Sequence, residues 1–277
     1  MNTFTLSDIF IYPVKSLAGI RVENWEVVET GLKYDRQWML IDENGQFLSQ
    51  RRLPKMALIQ TQLTDSELIL SAPNFADFHL PLESKGGAII QSTVWKDCCD
   101  ATHVSNAADA WFSAVLEMPC QLVYLPIETK RGVDLNYAIE NDRVAFSDGF
   151  PFLIVSENSL SALNAELEKS IEMARFRPNL VISGCDAYAE DFWREIKIGE
   201  IDFRLPKPCS RCSVPAINPQ TAEVTKEPLT TLSRLRKWQN KIYFGQNALH
   251  NSLGNLKIGQ GVEVKISGKK QPPIFDA

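Results

Sequence analysis

Two cysteines three apart, in Lys207-Pro208-Cys209-Ser210-Arg211-Cys212, constrain this chain more than any other stretch. The run continues Ser213-Val214-Pro215-Ala216-Ile217-Asn218-Pro219. Each proline ring fixes φ and removes an amide donor, so prolines 208, 215 and 219 argue against a long helix. A stiff loop or short strand is predicted, with thiols presented beside Lys207 and Arg211. Positive surroundings favour the thiolate, the form that attacks electrophiles and ligates metals.

Four readings of the pair compete. A structural zinc site needs about four ligands, and the other close cluster, Cys98, Cys99 and His103, lacks zinc-finger spacing. A thioredoxin-like redox pair opens a helix after a strand, whereas Val214-Pro215 follows here. An inert buried pair is the bland reading. The fourth is one working thiolate, with Cys212 preferred because Ser210 and Arg211 directly precede it.

Composition narrows the class. With 277 residues, 44% of them hydrophobic and 23% charged, the chain has the make-up of a globular protein. A net charge of −5 argues against wholesale binding of nucleic acid or an anionic membrane. Met1 to Leu6 shows no basic and apolar leader pattern, and no apolar run approaches a bilayer span. The expectation is a cytoplasmic chain, whose scattered cysteines are then free thiols.

The first 119 residues read as β-rich. Phe4 to Val14 alternates loosely and ends near Pro13, Arg21 to Glu29 reads as a strand, and Asn44-Gly45 signals a tight hairpin. Further strands are predicted at Met56–Leu63, Glu67–Ser71 and Ala88–Trp95. Ser105 is placed to cap a helix with Ala108, Trp111, Phe112, Val115 and Leu116 on one face. A boundary is predicted near Pro119, followed by strands at Gln121–Leu125 and Phe152–Val155. Ser156 caps a second helix whose stripe is Leu160, Leu163, Leu167 and Ile171, ending before Arg175-Phe176-Arg177-Pro178-Asn179. A hairpin turning at Gly199-Glu200 delivers the chain to the cysteines. A third helix is predicted from Pro228 to Trp238, Phe244 to Asn247 as a loop, Gly261 to Ser267 as a strand, and 269–277 as a loose tail.

Polar residues gather at strand ends: Lys15-Ser16, Arg36, Asp148-Gly149, and Arg177 with Asn179 around Pro178. Such groups are well placed to converge on a ligand, and Lys and Arg suit phosphate. Taken singly, each arginine reads as solvated or ion-paired.

Taken together and in order, these motifs resemble the MOSC family in its two-part form. They are Ile11-Tyr12-Pro13-Val14-Lys15-Ser16, Tyr34-Asp35-Arg36, Phe176-Arg177-Pro178-Asn179, Cys209-Ser210-Arg211-Cys212, Asn218-Pro219-Gln220-Thr221 and Phe244-Gly245-Gln246-Asn247. The pattern is similar to the amidoxime-reducing branch, mitochondrial and bacterial. The resemblance implies a mainly β, α+β fold, with a MOSC β-barrel (120–268) packed against an N-terminal barrel-like domain (1–119). An early strand is expected to complete the barrel.

The resemblance also implies a molybdenum cofactor, a pterin whose dithiolene holds the metal and which carries a phosphate. Cys212 falls on the metal-ligating position. Cofactor contacts fall on Lys15, Ser16, Arg36, Arg177, Asn179, Ser210 and Arg211, with Asp148 and Gly149 beside the metal. Asn247 falls where animal relatives carry tyrosine. The implied activity is reduction of N-hydroxylated compounds, with electrons from a separate ferredoxin- or flavoprotein-type partner. Cofactor sulfurases end in MOSC domains, so a sulfur or cofactor carrier is the other implied reading. Pyridoxal phosphate is not expected on this chain.

Overall fold

The computed structural model describes residues 4–82, 87–126 and 128–274. Its centre is a closed barrel of seven strands. In order around the barrel these are Phe152–Ser156, Leu180–Ser183, Phe4–Ile11, Gly261–Ser267, Trp193–Ile198, Ile201–Ser210 and Lys241–His250, which pairs back to Phe152–Ser156. Neighbours run antiparallel except Phe152–Ser156 and Leu180–Ser183, which are parallel. A parallel pair needs a crossover. Helix α2 (Glu157–Asn164), capped as expected by the Ser156 hydroxyl on the Ser159 amide, lies within it.

The early strand does complete the barrel. Phe4–Ile11 lies between Leu180–Ser183 and Gly261–Ser267. Its loose alternation has a physical cause. The register slips between Leu6 and Asp8, so Leu6 and Ile9 both face the core although three apart. Leu6, Ile9, Ile11, Phe152, Phe203 and Ile196 fill that core. Burying each such side chain contributes about 1.5–3 kcal/mol.

The N-terminal part holds a four-stranded sheet: Trp38–Ile41, Gln121–Tyr124, Asp97–His103 and Ile89–Val94. Gln121–Tyr124, read from sequence as opening the C-terminal part, is therefore an inner strand of the N-terminal sheet. A second sheet (Gln60–Leu63, Glu67–Ser71, Phe78–Pro81) and helix α1 (Asn106–Leu116) share a core built on Trp38, Leu68, Leu70 and Phe112. Ser105 caps α1 as predicted, accepting from the Ala108 amide; such caps are worth about 1 kcal/mol.

Four local readings need correction. Pro54–Leu58 is a 3-10 turn, so the Met56–Leu63 strand starts only at Gln60. Helix α2 stops at Asn164, because that amide side chain bonds both ways with the Ile171 backbone and turns the chain. Leu167 and Ile171 still pack on the α2 cluster. Helix α3 covers Leu229–Leu235 alone, and Lys237–Trp238 begins a short strand. The tail is tied down as far as Gln271: Gly268 donates to Phe192, Gln271 to Asp191, and the Gln246 amide to the Gln271 carbonyl. Residues 275–277 lie outside the described residues. Among the described residues no helix is long and apolar enough to cross a membrane.

Candidate active site

The strand ends converge on one cavity. It is open to solvent and has a volume of about 160 Å³. Lys15, Ser16, Arg36, Asp148, Gly149, Arg177, Asn179, Arg211, Cys212 and Asn247 all line it, as does Cys209. Ser210 does not; it sits exposed at the end of its strand. Ile201–Ser210 is a strand where a loop or short strand was expected, but an interrupted one. Its register against Lys241–His250 shifts between Arg204 and Lys207 and again between Pro208 and Ser210. Pro206 and Pro208 lack amide donors, so a regular ladder cannot form there. The chain then leaves the barrel through Arg211 and Cys212 to a 3-10 turn at Val214–Ala216.

The opposite strand corrects the other motif. Phe244 to Asn247 is mid-strand, not a loop. Gly245 has a φ of +78°, a strand irregularity that glycine alone takes without strain. A Cβ there would lie 2.7 Å from Val155 Cγ2. Asn247 Nδ2 donates to the Pro208 carbonyl at 3.4 Å, which ties the two strands together beside the cavity.

Three lining residues, Ser16, Arg36 and Arg177, hold left-handed backbones at φ 68°, 49° and 54°. Non-glycine residues adopt that region at a cost, and such strain gathers at functional sites. The two arginines stack on Tyr12, with guanidinium carbons 4.3 Å (Arg36) and 4.2 Å (Arg177) from the ring centre. Arg36 Nη1 donates to Asp35 Oδ2 at 2.5 Å and to Asn179 Oδ1 at 3.0 Å. Arg177 Nη1 donates to the Leu17 carbonyl at 2.6 Å. Burial pushes the Tyr12 phenol up to about 12 and the Arg177 guanidinium down to about 10. At neutral pH the ring is therefore neutral and the guanidinium charged.

Lys15 is buried and donates to the Phe146 carbonyl at 2.6 Å and to Asp148 Oδ1 at 2.5 Å. Burial lowers its ammonium below the usual lysine value, against the pull of Asp148. Desolvation acts to raise the Asp148 carboxyl, but the Lys15 charge and hydrogen bond outweigh it and hold that group well below the usual carboxylate range. Trp95 Nε1 also donates to Asp148 Oδ1, at 3.1 Å.

Charge on this cavity runs against that of the chain. Lys15, Arg36, Arg51, Arg177 and Arg211 face one carboxylate, Asp148, among the lining residues, whereas the whole chain is net −5. Arg51, with Ser49 and Gln50, was missed from sequence. Its signal was a polar run, Ser49-Gln50-Arg51-Arg52, after the Asn44-Gly45 turn, where only isolated bridges at Gln46 and Phe47 form in place of a return strand. Two buried polar atoms here have no hydrogen-bond partner: Arg211 Nε and Ser147 Oγ. Buried polar atoms are rarely left so, and a bound polar group would complete both.

Of the four thiol readings, zinc lacks a ligand set: among the described residues no group of three or more His, Cys, Asp or Glu side chains could hold a metal. All six cysteines are free, and no helix opens after Cys212 as a redox pair would require. Cys209 and Cys212 are half-buried and exposed, so the inert buried pair also fails. A single ligating thiolate is compatible with the donor set, since one soft thiolate beside cations and amides suits an anionic, thiophilic metal group.

Comparison with known proteins agrees with the geometry. The MOSC N-terminal beta barrel domain matches residues 3–119 and the MOSC domain residues 141–263. Mitochondrial amidoxime-reducing component 1 of Homo sapiens is 34% identical over 278 residues, covering 93% of this chain and 82% of its own. The Mus musculus protein of that name is also 34% identical, covering 93% and 81%. A molybdenum cofactor sulfurase of Solanum lycopersicum is 32% identical over 87% of this chain but only 32% of its own length.

Proposed function

This chain belongs to the MOSC family, in the form that joins a MOSC domain to the MOSC N-terminal barrel domain, and from that premise we propose that it is a molybdenum-cofactor oxidoreductase. Its substrates are N-hydroxylated compounds: amidoximes, hydroxylamines or N-hydroxylated bases. Electrons come from a separate ferredoxin- or flavoprotein-type protein. One observation carries the reading: five cationic side chains, one carboxylate and an exposed thiol share a single cavity on an acidic chain.

When bound, the cofactor supplies a metal that exchanges an oxo group and two electrons, which suits cleavage of an N–O bond. Everything else falls to this chain. Lys15, Arg36 and Arg177 hold anionic groups, Arg by its fork and Lys as a point charge. Ser16, Asn179, Gly149 and Asn247 line the same wall and orient the pterin. Cys212 would hold the metal through its sulfur. Arg211, whose Nη2 donates to the Phe176 carbonyl at 2.8 Å, fixes the loop and offers its unpaired Nε to the bound group. Asp148 stays anionic at neutral pH. Both of its described bonds go to Oδ1, so Oδ2 is the oxygen that receives a substrate N–H or O–H.

The test is metal analysis followed by turnover. Purified protein should contain molybdenum and molybdopterin and reduce benzamidoxime with reduced methyl viologen as donor. Molybdopterin-loaded protein that reduces no N-hydroxylated compound overturns the reading. The sulfurase relative favours the second reading, a sulfur or cofactor carrier. A carrier would hold cofactor or persulfide yet show no catalytic N-reduction.

A further inference from the structure

A tryptophan occupies a position that usually goes to glycine or asparagine. Strands Ile89–Val94 and Asp97–His103 pair with Val94 opposite Asp97, which leaves a two-residue turn of Trp95-Lys96. Trp95 takes φ +60° there. Such a conformation costs a bulky residue on the order of 1 kcal/mol or more, and Asn-Gly or Gly would avoid it. Burial does not account for the choice, since Trp95 remains 46% exposed.

Contacts show what the strain achieves. The indole is held from three directions at the rim of the cavity. Its Nε1 donates to Asp148 Oδ1 at 3.1 Å. Arg51 lies with its guanidinium carbon 4.0 Å from the indole. The Phe47 ring packs 5.3 Å away, tilted by 54°. Phe47, Arg51 and Asp148 all line the cavity. Trp95 itself stands just outside the cavity lining, with Arg51 over one ring face, and the aromatic surface left exposed adjoins the carboxylate assigned to the substrate. A flat π-system gains from such a surface by stacking, with little ordering of the protein on binding.

We propose that Trp95, positioned by Arg51 and Phe47, is a specificity-determining platform that selects flat, conjugated N-hydroxylated compounds over aliphatic ones. The proposal rests on the oxidoreductase reading above. Stacking of a planar base or aryl group on an aromatic side chain is worth about 1–3 kcal/mol, so removing the indole should weaken binding by about tenfold.

The experiment uses cofactor-loaded protein without electron donor, so that calorimetry reads benzamidoxime binding apart from turnover. Trp95→Ala should raise its Kd about tenfold, and Trp95→Phe should restore most of the affinity. With donor, kcat/KM for benzamidoxime should fall in Trp95→Ala about ten times further than kcat/KM for N-methylhydroxylamine, through KM. Unchanged benzamidoxime affinity in Trp95→Ala overturns the platform, as does an equal loss for both compounds. Failure of wild-type protein to bind benzamidoxime also overturns it. Binding without any N-reduction instead overturns the oxidoreductase reading and leaves the Kd comparison to decide the platform. Circular dichroism and molybdenum content check the variants, and Trp95→Leu, apolar but without a π face, serves with the same expected loss if Trp95→Ala does not fold.

Discussion

Arg211 directs an N–H at the sulfur of Cys209, 3.1 Å away, while Cys212 stands exposed on the same cavity. The two thiols thus stand in different surroundings. Cys209 receives a donor from Arg211, and Cys212 is the ligating thiol of the proposed function. Cys212→Ser should abolish N-reduction, because a hard neutral hydroxyl replaces a soft anionic thiolate. Cys209→Ser should be milder, since a serine oxygen still accepts from Arg211. Activity per milligram with molybdenum analysis decides the matter. Full activity in Cys212→Ser would sink the assignment, and equal loss from both would favour a shared dithiol function.

Arg177→Ala should lower the molybdenum content of purified protein, with activity per bound molybdenum changing less. The guanidinium stacks on Tyr12 and faces the cavity, so its removal takes away binding charge rather than a reacting group. A variant with normal content but lost turnover would contradict that role.

The Lys15 pair predicts an alkaline limb. Burial lowers the Lys15 ammonium, so the folded chain sheds that proton at lower pH than the unfolded chain. Between those two values the unfolded chain binds more protons, and the cofactor-free fold gains stability as pH rises. The cavity meanwhile loses a cation and should release its anionic ligand. Molybdenum retained after dialysis should therefore fall with rising pH, before exposed lysines titrate. Lys15→Arg should move that fall upward, because a guanidinium keeps its charge. Coincident curves for the two proteins would exclude Lys15 as the cause.

Gly245→Ala should destabilise the barrel. The backbone stands at φ +78°, and the new Cβ would meet Val155 Cγ2 at 2.7 Å and the Ile154 carbonyl at 2.8 Å. Strain and overpacking each cost about 1–3 kcal/mol. Thermal unfolding should show a melting point lower by several degrees, and an unchanged one would place the glycine in a more yielding environment.

These positions mark how far the sequence was legible. Helix starts were readable at Ser105 and Ser156, because a cap is a local hydrogen bond. The Gly199-Glu200 hairpin was readable for the same reason. Phe244 to Asn247, read as a loop, is mid-strand, and a glycine in a buried strand carries the same local signal as a glycine in a loop. Strand Asp97–His103 was overlooked because Asp97, Cys98, Cys99 and Asp100 give no apolar alternation; its burial begins at Ala101. Individual site residues could be named, but their meeting could not. Lys15 and Asp148 are 133 residues apart, and Arg36 and Asn179 are 143 apart. Only the folded barrel closes those distances; Arg51 offered no more than a polar run, and Trp95 carried no sequence signal of belonging with them.

Limited proteolysis near Pro119 should not release two folded halves. Phe4–Ile11 is built into the barrel, and Gln121–Tyr124 into the N-terminal sheet. A cut should leave a nicked complex on gel filtration, whereas a folded 120–277 fragment alone would contradict the interlock.

That interlock has a temporal side. A nascent chain leaves the ribosome from its N-terminus, so Phe4–Ile11 emerges long before its partners. Leu180–Ser183 comes much later, and Gly261–Ser267 later still. Until then the strand is an unpaired edge, open to wrong association. Lys15 and Arg36 likewise wait for Arg177, Arg211 and Cys212 to be synthesised. The ligand site therefore cannot exist on a partly made chain. Any ligand must enter after Gly261–Ser267 has been made and has paired with Phe4–Ile11, through the mouth of a barrel that is already closed.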